Sequence, residues 1–486
     1  AALAAREGAP LVALCPDESS AEAIGADIAA LTGAEVNYLY SRDFTFYTAD
    51  AVSRQGEQRR IGALRALLAG SEVTVITAAG LLQRAIPPED LKRAAFEISA
   101  QGQLAVEDAE DALLRCGYSR AEQVDAPGQF SRRGGILDFF SPSQREPVRV
   151  ELWGDEIDSM AFFDPVSQRR TENTDRAEIL PAAETLPALM RGGAAALAAE
   201  LERQLKGVSR RKTDTAALYA RTLREDAELL QNGAELRAAD RYAPLIYGGM
   251  ATALDYIPQG AVILLDQPVR FAERARSYAK ELGEDINTLV KAGRLNARAE
   301  DFCLPPDRAF RELAARGLYM ADSFTAGRYP AEPKSITNIL AKQLPSYGGS
   351  AEQAAEDVRH YLSTGFAVLV LSGDARRAAI MASFFDGKGI KVRTAGELAA
   401  LPARGECLIV PGGLSSGLEY PSARLAVLTD TQIAAGGYRR AKRRKKPSMG
   451  ERIGSCADLA VGDLVVHENH GIGRFAGIVR MPVDGA

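Results

Sequence analysis

The 486-residue sequence is poor in the residues on which most enzyme chemistry depends, holding three histidines, one tryptophan and five cysteines. Three imidazoles give little material for acid–base work, and only His467 and His470 lie close together. The cysteines, Cys15, Cys116, Cys303, Cys407 and Cys456, are odd in number and show no C-x-x-C spacing, which argues against a disulfide framework and a zinc site and points to a reducing cytoplasm. A phosphate-binding loop of the form G-x-x-x-x-G-K-[ST] occurs nowhere. Gly387-Lys388-Gly389 lacks the upstream glycine and the hydroxyl residue and reads as a helix end. The longest apolar runs, such as Phe366–Ser372, are strand-sized, which excludes a membrane-spanning helix. Arg6 and Glu7 interrupt the apolar amino end, so it is not a secretory signal. The first residue is Ala rather than Met, and further sequence upstream is expected.

What the chain does hold is ordinary globular material, 46% hydrophobic and 25% charged. At about 100 to 200 residues per domain it predicts about three to five folded units. The net charge is −5, yet Arg439–Lys446 alone supplies seven cations, leaving −12 on the remainder. Most of the surface is therefore unsuited to binding nucleic acid without sequence preference.

The pattern along the chain predicts an α/β protein. Between Pro10 and Gly117 buried strands (LVALC, Val36–Tyr40, EVTVIT) alternate with helices. In the first helix Ile24, Ile28 and Leu31 share a face before Gly33, and Asp17 stands as a cap. Such βαβ repetition implies a mainly parallel sheet. From about Ala126 to residue 182 the helical period gives way to strand-like alternation, a small antiparallel insert. Helical periodicity returns at Gly192–Leu205 and Thr213–Leu230, with a buried strand at Ala261–Asp266. A second, small α/β unit follows, then the basic run, then a strand pattern from Ala457 that begins a further β domain. The divisions read 1–122 and 191–345 for the two halves of the first α/β unit, 123–190 for the insert, 346–437 for the small α/β unit, 438–456 for a basic linker and 457–486 for the start of the last domain.

Among candidate sites, the segment VRVELWGDEIDSM is the most informative. Alternation sets Val148, Val150 and Leu152 on one face and Arg149, Glu151 and Trp153 on the other, with Gly154-Asp155 as a two-residue turn. Partly buried packing is the commoner fate of a Trp in a small β domain. Trp beside Arg is also what binding hot spots are made of. Arg132 and Arg133, before Gly134-Gly135, either add cations to that surface or are solvated turn charge. The aromatics Tyr38, Tyr40, Phe44, Phe46 and Tyr47 around Arg42 suit base stacking, though a local core accounts for them more readily. The HENH segment at His467 to His470 reads as strand-to-turn rather than a helical metal pair, and the basic run as a solvated linker.

These segments resemble a known family. FSRRGGILDFFSP and VELWGDEIDSMAFFDPVSQR resemble the insert that the bacterial transcription-repair coupling factors (the Mfd family) share with the repair protein UvrB. VGDLVVHENHGIGRFAGI resembles the start of the family's polymerase-binding domain, which is itself similar to CarD-type regulators. The likeness covers nearly the whole chain and implies a UvrB-like, RecA-type parallel-sheet unit with an inserted antiparallel β domain, a second small α/β domain and the start of a CarD/Tudor-like β domain. The resemblance implies docking of UvrA through Arg133, Arg149 and Trp153, with Trp153 standing where Phe is expected. It implies contact with the RNA polymerase β subunit through Met481, in a domain that this chain does not complete. It places ATP, Mg²⁺ and double-stranded DNA with a translocase outside this segment, which itself carries no catalytic residue, no metal and no cofactor. A bacterial cytoplasmic setting and no membrane partner follow. Alternatives are a UvrB-like DNA-dependent ATPase whose P-loop lies upstream, and a CarD-like polymerase regulator. UvrB's long aromatic hairpin has no counterpart, since six residues separate Tyr47 from Arg54.

Overall fold

A computed structural model describes residues 8–47, 53–325, 328–348, 350–433, 464–467 and 471–474, the last two stretches as backbone. It divides into two compact units, Ala1–Ile339 and Leu340–Ala486.

In the first unit five parallel strands run in the order Tyr319–Ala321, Val262–Asp266, Leu11–Cys15, Val73–Thr77, Val36–Leu39. The sequence LVALC alternates its side chains between two cores, because neighbouring strand residues point to opposite faces. Val12 and Leu14 meet Ile61, Leu64, Phe271 and Phe310 on one side. Leu11, Ala13 and Cys15 meet Ala21, Ile28, Val73 and Val75 on the other. Burial on both faces explains the uninterrupted apolar strands. Helix Glu18–Thr32 begins where the Asp17 carboxylate accepts a hydrogen bond from the Ser20 N–H (3.0 Å) and stops where Gly33 takes φ +73°. Ile24 and Ile28 face this sheet as expected, whereas Leu31 stands in solvent, since the helix outruns the strand edge it covers. No helix among the described residues is long and apolar enough to cross a membrane.

Arg42 anchors a sealed ionic cluster. Its guanidinium donates to both oxygens of Asp240 (2.7 and 2.8 Å) and to Glu184 (3.2 Å), while Arg60 lies 3.0 Å from the same Glu184 oxygen. Burial alone would raise the Asp240 carboxyl, but Arg42 holds it below its usual value. Burial pushes the Glu57 carboxyl up, against the pull of Arg42. Phe44 and Phe46 pack edge-on to Phe302, centroids 5.2 and 5.0 Å apart. Four of the five aromatics around Arg42 are buried or half-buried, so the run is a local core rather than a stacking platform; Tyr47 alone is exposed.

A six-stranded sheet is inserted into this unit, in the order Arg170–Asn173, Glu156–Phe163, Val148–Trp153, Ile136–Phe139, Gln129–Arg133, Ser119–Arg120. All its pairings are antiparallel except the last, short one. Its core holds Phe130, Leu137, Phe139, Val148, Val150 and Met160 together with Ile98, Val106, Ala109 and Leu113. Strand Phe96–Ser99 pairs with Arg176–Ile179. The core of the insert thus reaches back to residue 98, ahead of the division drawn at 123 where helical periodicity fades. Helices Gly193–Val208 and Asp214–Gln231 form an antiparallel pair closed around Leu197, Leu201, Tyr219 and Leu223.

The second unit is a separate sheet ordered Lys342–Gln343, Leu418–Tyr420, Leu425–Thr429, Ala367–Ser372, Cys407–Pro411, Val392–Thr394. The last four strands are parallel and the first two antiparallel. Val368 and Val370 pack with Val358 and Phe385 of the flanking helices. Gly389, φ +73°, follows helix Ala375–Gly387, as a helix end requires. Strand Leu464–His467 pairs with Gly471–Arg474, joining His467 to Gly471, and the rest of HENH lies outside the described residues. The basic run 439–446, Cys456, His470 and Met481 lie outside the described residues.

Candidate partner-docking face

The insert sheet has one apolar and one polar side, and the hairpin at its centre sets which residues reach the polar side. Two tight turns fix the register. Gly134 and Gly154 each open a two-residue turn at φ +63° and +62°, a backbone region open to glycine at little cost. Gly135 is pressed so close that an added Cβ would stand 2.7 Å from the Leu152 carbonyl oxygen. Along Val148–Trp153, Val148 and Val150 are fully buried and Leu152 packs against the same core, while Arg149, Glu151 and Trp153 point the other way. The register shift in this hairpin leaves Asp158 as the extra residue on the partner strand, so the alternation toward Trp153 is unbroken.

Trp153 ends the strand with its side chain 84% exposed. The expected arrangement of aliphatic side inward and indole outward is what the sheet presents. On the same face, four residues back along the strand, the fully buried carboxylate of Asp138 lies opposite Arg149 and is gripped by two arginines. Arg149 donates from Nε (2.8 Å) and Nη2 (2.9 Å), one bond to each oxygen, and Arg133 adds a third from Nη2 (2.7 Å). Arg149 also stacks 4.7 Å above the Phe163 ring and reaches the Gln168 carbonyl at 3.4 Å. The hydrogen bonds that Arg149 donates to Asp138 raise its already high pKa. The Arg149 side chain is 15% exposed and that of Arg133 46%. Arg149 is therefore a fastened group that orients the surface, and Arg133 keeps much of its guanidinium in water. Two cations around one carboxylate leave this patch positive. Further along, Glu151 is held by Arg170 (3.2 Å) and Ser159 (3.0 Å).

Arg132 does not join this surface. In the register it opposes the core residue Leu137, and its guanidinium turns to Glu107 (2.7 Å) and Glu110 (2.9 Å) of helix Val106–Arg115. One step along a strand reverses the face, so only Arg133 of the pair is available to the polar side. Sequence reasoning missed Asp138, although ILDFF alternation places it on the face of Ile136 and its register partner is Arg149. Phe163 and Gln168 gave no such signal. Among the described residues no group of three or more His, Cys, Asp or Glu converges as a metal site would require.

Residues 96–184 match the UvrB interaction domain, and residues 459–486 match the CarD-like/TRCF RID domain. The similar curated proteins are transcription-repair-coupling factors. That of Bacillus subtilis is 28% identical over 88% of this chain and 36% of its own length. That of Myxococcus xanthus is 28% identical over 98% and 41%, and one from Staphylococcus aureus is 25% identical over 95% and 39%. The chain thus spans 36% to 41% of the length of these relatives. It resembles the amino-terminal segment of transcription-repair-coupling factors, as its motifs indicate.

Proposed function

We propose that this chain is the coupling segment of transcription-coupled DNA repair, bringing UvrA to RNA polymerase stalled at DNA lesions. The observation that carries the reading is the exposed Trp153 indole at the tip of the UvrB-type insert, on the sheet face that also holds the Arg149–Asp138–Arg133 cluster. A large apolar group left in water on the same face as a half-solvated guanidinium suits a hot spot, where aromatic and Arg groups dominate the energy. In this reading Trp153 enters an apolar pocket on UvrA, Arg133 meets a carboxylate at the rim, and Arg149 holds the strand surface in shape.

Contact with the polymerase β subunit belongs to residues 457–486, with Met481 as its apolar contact. Double-stranded DNA is engaged, with ATP and Mg²⁺, by the translocase part of the full-length protein beyond this segment. Immobilised chain carrying Trp153→Ala is expected to capture UvrA at least tenfold more weakly than the parent, about 1.4 kcal/mol, with an unchanged unfolding midpoint. Undiminished capture would remove this face from docking.

A further inference from the structure

A second surface of the first unit has a different chemistry. Helices Gly193–Val208 and Asp214–Gln231 are joined by a turn in which Arg210, Arg211 and Lys212 are exposed, as is Lys206 in the last turn of the first helix. The end of the long helix Pro268–Lys291 is pressed onto the same region. Thr222 Oγ1 donates to the Gly293 carbonyl (3.1 Å), and a Cβ on Gly293 would stand 2.4 Å from the Leu218 Cβ. That contact brings Lys291 and Arg294, both exposed, to the first turns of helix Asp214–Gln231. None of these six side chains has an acidic partner within the described residues, unlike Arg203 and Arg221, which are paired on the same helices. Asp214 is the one carboxylate between residues 206 and 214.

We propose that this patch binds the phosphate backbone of duplex DNA without sequence preference. Unpaired cations concentrated on a chain of net charge −5 are the electrostatic footprint of such binding. An exposed aromatic stacking platform, which single strands require, is missing from residues 206–218 and 291–298. The apolar anchors of a protein interface reduce here to Leu218, half exposed. Cations with neither stacking nor anchor are suited to phosphates. This inference does not depend on the UvrA reading.

The test measures fluorescence anisotropy of a labelled mixed-sequence duplex with the full chain across a salt series. Arg210→Glu, Arg211→Glu and Lys212→Glu together should weaken binding at least tenfold and lower the salt slope by about three, since each phosphate contact contributes about 0.9. Lys291→Ala with Arg294→Ala should lower it by about two. Both variants change exposed groups only, and circular dichroism verifies the fold. A further variant neutralises Arg439–Lys446, so that binding through that run is read separately. Retention of full affinity and slope in the first two variants, with loss only in the third, would overturn the proposal. A soluble polyglutamate that displaces the duplex at equal charge concentration would also overturn it, assigning the patch to an acidic protein instead.

Discussion

Arg42 and Arg149 each hold an aspartate through two parallel hydrogen bonds of nearly equal length, yet the two clusters do different things. Around Arg42 the side chains of Asp240 and Glu184 are 5% and 1% exposed, and the neighbouring aromatics pack into a core. Around Asp138 the carboxylate is just as deeply buried, but Arg133 lies nearly half in water and a bare indole stands on the same face. The paired geometry is the same, and the surroundings decide the role. Where aromatic groups close over the pair, the ions fasten distant chain segments; where an aromatic is left outside, the ions shape a surface that something else can cover.

The largest effect that would test this contrast is on stability. Asp240→Asn removes the two-pronged partner of a guanidinium that has no route to water, and breaking a buried pair costs about 3–5 kcal/mol. Urea unfolding of the full chain should show that loss. A change within about 0.5 kcal/mol, the range of ordinary surface substitutions, would break the assignment of a sealed structural cluster.

Asp138→Asn is the matching experiment on the other side. It leaves a carbonyl oxygen for one arginine and frees the second, which already reaches solvent. The expected loss is smaller, about 1–3 kcal/mol, and UvrA capture should fall as well because Arg149 loses the group that orients it. A stability loss equal to that of Asp240→Asn would erase the distinction. Undiminished capture would show that the carboxylate does not shape the docking surface.

These two clusters also mark how far the sequence could be read. The alternation VRVELW carries its own answer, since a strand with one buried face must send Arg149, Glu151 and Trp153 together to the other. The parallel sheet was equally legible, because LVALC and the β-branched EVTVIT are strand-sized runs between helical periods. Periodicity is a local signal, however, and Arg42 meets Glu184 and Asp240 across 142 and 198 positions. Nothing in the spacing of a lone Arg among aromatics announces such partners. Helix Val106–Arg115 has the same limitation: its amphipathic pattern is plain, but the pattern does not tell which sheet the apolar stripe covers, and here it covers the insert.

The smallest expected effect sharpens the comparison within a single turn. Arg132 and Arg133 are adjacent and chemically identical, and only the strand's alternation separates them. Arg132 is bound to Glu107 and Glu110 on the helix side, while Arg133 shares Asp138 with Arg149 on the indole side. Arg133→Ala should weaken UvrA capture several-fold, as loss of a rim guanidinium does. Arg132→Ala should leave capture within about twofold, because the side chain faces away from the partner and Glu110 keeps its pair with Arg120. Measured side by side in one capture assay, the two alanines ask whether the face or merely the local density of positive charge draws UvrA. Equal losses would favour charge alone and would undo the reading of Trp153 as the centre of an oriented surface.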